Sequence, residues 1–214
     1  MKSTTTVATI VLFALGSLQA EPIATSWFKD RSGAYARLYE TTADETAQNA
    51  VTTWNRGAGV QALPTYAGVS EVSTTADWVY IRATGLGFHT MGPWYLNAAK
   101  TNLFPNYPSN RGVIYRFPRV PVIPAPAART LTGLGNIGYF VAGVSMFDNR
   151  DAFSYVNASA VDSSPPNGLT GDGIWNRDAF VNEAVSFDAA NAHQAGNNYH
   201  YHANPPGLRH LRGD

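Results

Sequence analysis

Three of the chain's five histidines, His200, His202 and His210, fall within eleven residues, in NNYHYHANPPGLRHLRGD. Side chains alternate along an extended strand. His200 and His202 therefore project from one face, about 6.6 Å apart along the chain, and Tyr199 and Tyr201 project from the other. Two imidazoles on one face can converge on a single ion, histidine being the commonest metal ligand. His193, across a turn at Gly196, offers a third nitrogen. Asp188 offers a carboxylate, either as a ligand or as the acceptor that fixes an imidazole tautomer. Such a nitrogen-rich set suits Zn, Cu(II), Fe or Mn. The chain has no cysteine, which excludes thiolate ligands and disulfides. No organic cofactor is indicated.

A structural reading uses the same residues: imidazoles bonded to backbone, and tyrosines packed in a core. His89, in GLGFHTMGPWY, sits between glycines just after a strand, where loops often carry function. Arg209 is a further candidate, for an anionic ligand, whereas His210 reads as solvated. If the ion activates water or polarises a substrate oxygen, Asp188 or Glu183 is the candidate general base. Whether the protein is an enzyme is open. Ser145, in GVSMF, lacks the second glycine of a nucleophile elbow.

The elements that must position these groups are mostly strands. SGAYARLYE alternates Tyr35, Arg37 and Tyr39 against Ala34, Ala36 and Leu38. ADWVYIRAT puts Trp78, Tyr80 and Arg82 on one face and Val79 and Ile81 on the other, and RGVIYRF reads as another strand. TADETAQNAVTTW fits a helix capped by Thr42 and Glu45, or a strand ending at Trp54. The proline-rich PRVPVIPAPAAR reads as an extended crossing or edge segment. GLGNIGYFVAGVSMF reads as a buried strand, or a hairpin turning near Ala142-Gly143. The expected late helix is RDAFVNEAVSFDAAN, capped by Asn176, with Phe180, Ala184 and Phe187 on one stripe. A loop, HQAGNN, then leads into YHYH.

At the other end, Lys2, the apolar residues 7–15 and Leu18-Gln19-Ala20 have the form of a secretory signal peptide. This predicts residues 1–20 as a leader and 21–214 as one β-rich domain, secreted or periplasmic. No later segment has the ~20 apolar residues of a membrane helix. Lys2 leaves with the leader, so the remainder has one more acid than base. Charged residues are 14% of the chain, and neither nucleic acid nor anionic lipid finds an electrostatic footprint.

GNIGYFVAGVSMFDNRDAFSY, followed by GDGIWNRDAFVNEAVSFDAANAHQAGNNYHYHANPPGLR, resembles the YHYH-domain family, which is named for the tetrapeptide. A glycine-rich strand before it is the other hallmark. The likeness extends over about residues 78–214, its specific core being the run from Asp188 through His193 to His200 and His202. It implies an extracytoplasmic or secreted protein with no assigned reaction. Family members continue beyond the motif, so a C-terminally truncated chain is expected.

The expected molecule is mainly β, sandwich-like and antiparallel, with one short helix before the YHYH strand and a histidine-centred metal site. The rival is a noncatalytic extracellular module that binds glycans or proteins through exposed aromatics such as Trp94, Tyr95 and Trp175, its His/Tyr cluster being structural. In either case the partner is an unidentified extracellular ligand or substrate.

Overall fold

The computed structural model describes residues 34–163 and 175–206. The expected leader, Arg209 and His210 lie outside the described residues. The described chain is mainly β, in four small sheets. Strands β1 (Trp54–Arg56) and β2 (Gly59–Gln61) make a hairpin. β3 (Val69–Thr74), β4 (Trp78–Ala83) and β5 (Val113–Pro118) form an antiparallel sheet in that order. The alternation read in the sequence decides its faces. Val79, Ile81 and Ala83 are buried with Val69 and Tyr115, and the guanidinium of Arg116 covers the outward ring of Trp78 at 4.0 Å.

The sheet that carries the histidines joins two hairpins. β6 (Asn136–Tyr139) and β7 (Ser145–Phe147) form the first. They turn at Gly143, as the hairpin reading expects. Its φ is +73°, and a Cβ there would stand 2.5 Å from that of Ala83. This is a position only glycine fills without strain. β6 itself is largely exposed rather than buried.

The chain then runs through β8 (Arg150–Val156), flanked by β9 (Val161–Ser163) and β10 (Asn176–Asp178). The second hairpin, β11 (Ala192–Ala195) and β12 (Asn198–Tyr201), turns at Gly196 with φ +61°. β12 lies parallel to β7, while the other strand pairs are antiparallel. HQAGNN is therefore not a loop: His193 stands on a strand.

Among the described residues two short α-helices complete the fold. α1 (Thr42–Ala47) is capped one residue earlier than expected, by Thr41, whose hydroxyl accepts from the Asp44 amide. α2 (Ala179–Glu183) is capped by Asp178, which accepts from Val181 N–H at 3.0 Å, and it runs on as a single 3-10 turn to Ser186. The expected cap, Asn176, is taken by pairing with Ser154 in β8. Pairing to the sheet outcompetes the helical periodicity, and the helix buries Ala179 instead of a Phe180 stripe. The proline-rich segment 118–129 forms no strand beyond Pro118 and stays largely exposed; its prolines, at every second or third position, interrupt the row of amide donors a ladder needs.

The larger core gathers Leu38, Leu86, Met91, Trp94, Tyr199 and Tyr201 with other small and apolar residues. Ala36 and Leu38 enter it from an extended segment that makes only isolated bridges. Trp94 and Tyr95, expected to be exposed, are buried; Trp175 is exposed. Among the described residues no helix is long and apolar enough to cross a membrane.

Candidate metal centre

His193 and His200 sit directly opposite each other in the β11–β12 register, so their side chains share a face. His202 follows two residues on, and one ligand atom from each of the three lies within 4.8 Å of the others. His200 Nε2 and His202 Nε2 are 3.0 Å apart. Two nitrogens held at ~2.0–2.1 Å by a tetrahedral ion lie about 3.3 Å apart. The pair is already near that spacing.

The far sides of two rings fix which nitrogen faces inward. His200 Nδ1 lies 2.9 Å from the Asn198 carbonyl. A carbonyl can only accept, so Nδ1 carries the proton and Nε2 presents its lone pair. His193 Nδ1 lies 2.7 Å from the Ser186 hydroxyl, whose own proton goes to the Glu183 carbonyl at 2.7 Å. Ser186 must therefore accept from His193 Nδ1–H, and His193 Nε2 also faces the cluster. This is the outer hydrogen bonding that orients histidine ligands. His202 Nδ1 is buried without a hydrogen-bond partner among the described residues.

Aromatic rings hold the imidazoles in place. Phe147 stacks on His200 with centroids 3.6 Å apart, Phe187 stacks on His202 at 5.5 Å, and it meets His193 edge-on at 5.1 Å. Burial lowers the pKa of His200 well below the usual value, helped by the charge of His193. Burial also lowers that of His202, against the pull of Glu183. Both are neutral, and so competent as ligands, at neutral pH.

Glu183, at the end of α2, completes the cluster. Its Oε2 lies 3.0 Å from His193 Nε2 and 3.6 Å from His202 Nε2. Burial pushes this carboxyl up, but the hydrogen bond and charge of His193, with His202, hold it below its ordinary value. It also hydrogen-bonds Asp151, which Arg177 grips through Nε at 2.9 Å. A cavity of about 220 Å³ opens on the group, walled by Leu134, Phe147, Arg150 and Ala152.

The opposite face of β12 carries a different constellation. Tyr199 donates to Asp188 Oδ2 at 2.7 Å, so its oxygen accepts from His89 Nε2–H at 2.9 Å. Asp188 accepts further from the amides of Gly92, Ala190 and Ala192. Asp188 opens a tight turn, 188–192, closed by its own amide to the Ala192 carbonyl. That turn directs its carboxylate into the tyrosine side. Asp188 therefore does not join the nitrogens as the sequence spacing suggested, and His89 goes with it. Burial lifts the Asp188 carboxyl to about 6, against Tyr199 and the three amides, and burial with Arg37 lowers His89 to about 4.

Of the candidate residues, the structure brings together His193, His200, His202 and Glu183, and places Asp188, His89, Tyr199 and Tyr201 behind them. Ser186 and Phe147 were not foreseen. A serine seven residues before His193 carries no spacing signal, and Phe147 arrives through the parallel pairing of distant strands.

Residues 114–213 match the family model described as YHYH protein, and this segment belongs to that family. The match begins later than the resemblance over 78–214. No curated protein and no solved structure matches the chain.

Proposed function

We propose that this YHYH-family protein is exported and binds a divalent metal ion through the Nε2 nitrogens of His193, His200 and His202. The observation that carries the reading is the orientation of His193 and His200. Both direct Nε2 at a common point because Ser186 and Asn198 accept from their Nδ1–H groups, and Glu183 Oε2 stands 3.0 Å from His193 Nε2. Three imidazole nitrogens and a carboxylate oxygen crowd one point, and a bound cation would be shared among them. The sulfur-free donors suit Zn, Cu(II), Fe or Mn.

An ion at this position supplies Lewis acidity. Glu183, ionised and beside the nitrogens, is placed to take a proton from a molecule bound there. The export reading rests on the leader-like residues 1–20. The glycan-binding alternative has lost two of its three aromatics to the core, leaving Trp175.

The test is calorimetric titration of Zn, Cu(II) and Mn into chelator-treated protein at two pH values. Binding tighter than millimolar by the native protein, absent from His200→Ala, is the expected result. Failure of all three ions to bind makes the histidines structural.

A further inference from the structure

A second cavity, of about 470 Å³, lies against Phe147 and His202, two residues that also wall the cavity at the histidines. Its apolar surface comes from Ile137, Phe140, Met146 and Phe147, and its polar edge from Asn149 and Asn204. The volume is that of a small organic ligand. His202 is the one ionisable residue among them.

In the neighbouring cavity the charged side chains are paired. Arg150, the one arginine or lysine lining the neighbouring cavity, is committed to Asp148: Nε donates to Oδ1 at 2.7 Å and Nη2 to Oδ2 at 3.2 Å. This two-point ion pair leaves neither charge free. The carboxylate of Glu183 faces histidines. An anionic ligand would find no free cation among these lining residues, and burying its charge unpaired would be costly. An uncharged ring or chain gains from every apolar contact.

We propose that the cavity between Ile137, Phe140, Met146 and Phe147 binds a neutral, largely apolar small molecule beside His202, adjoining the metal site. The proposal does not depend on the ion. Phe147 is the shared wall, one surface toward this ligand and its ring stacked on His200.

The test uses two fluorophores with one ring system: neutral N-phenyl-1-naphthylamine and its anionic sulfonate relative, 8-anilinonaphthalene-1-sulfonate. The neutral dye should bind the full protein saturably, one to one, with a blue shift, and at least tenfold more tightly than the sulfonate. Ile137→Asp should weaken the neutral dye at least tenfold. Ile137 is 45% exposed, so the fold should tolerate the change, which circular dichroism checks. His200→Ala, which removes the metal site, should retain dye binding within about threefold. No saturable binding, equal affinity for the sulfonate, or an Ile137→Asp protein that binds as the native one does would each overturn the proposal. Loss of metal binding alone would leave it standing.

Discussion

The two faces of β12 differ in what their polar atoms are occupied with. On the tyrosine face, the Tyr199 proton goes to Asp188, its oxygen receives His89, and the carboxylate takes three backbone amides. On the histidine face the outer nitrogens of His193 and His200 are tied, and their inner nitrogens point at one another's neighbours. One face is a closed hydrogen-bond account within the core. The other leaves donor atoms converging beside a cavity. One strand can hold both because alternate residues face opposite ways, and the buried tyrosines fix the plane from which the histidines project.

The sharpest way to break this contrast is to exchange the roles of Asp188 and His200. Asp188→Ala should cost about 3–5 kcal/mol in denaturant unfolding, because four donors lose a buried acceptor. The isosteric Asp188→Asn should change metal affinity less than threefold in folded protein. An Asn variant that loses metal as fully as a histidine variant would return Asp188 to the metal site. His200→Ala should lower metal affinity at least ~100-fold and destabilise the metal-free protein less than Asp188→Ala does. Ser186→Ala frees His193 to rotate, and should weaken the ion ~10–100-fold with a smaller change in the melting temperature.

The acid response should separate the faces further. His89, lowered to about 4 in the folded state, contributes stability that is present above ~6.5 and lost as pH falls toward 4. Asp188, raised to about 6, has the opposite sign: its contribution is present below ~3.8 and lost as pH rises through 6. His89→Gln keeps a donor for Tyr199 but not the titration. It should lose about 1–2 kcal/mol less than the native protein between pH 7 and pH 5, as measured by denaturant midpoints. Metal affinity should also fall on acidification, with its midpoint below ~6.5 because His200 and His202 are held neutral by burial. The smallest effect belongs to Tyr201→Phe, which keeps the contacts with Phe140 and His89 and should cost no more than about 0.5–1 kcal/mol.

Period-two spacing made much of this legible. It put His200 and His202 on one side of a strand and Tyr199 and Tyr201 on the other, and it located β4, β5 and the turn at Gly143. What it missed was set by tertiary competition. Asn176 had the chemistry of a cap, yet β8 claimed it, and the cap passed to Asp178. Asp188 lay at a ligand-like spacing, yet the tight turn aimed it at Tyr199. The pairing of His200 with Ser145 has no local signature, so neither Phe147 as a wall nor the cavity beyond it could be read from the chain.

The hairpin of β11 and β12 bears on the order of folding. His193, His200 and His202 lie within ten residues, on or just beyond two strands joined by a tight turn, so gathering them costs little loop-closure entropy. Their surroundings come from farther away: β7 is more than fifty residues upstream of β12, and such non-local pairing is slow. The nitrogens can therefore meet before their walls arrive. An ion captured at that stage would stiffen the hairpin and offer β7 a preformed edge, acting as a template for assembly before it serves any purpose in the finished protein.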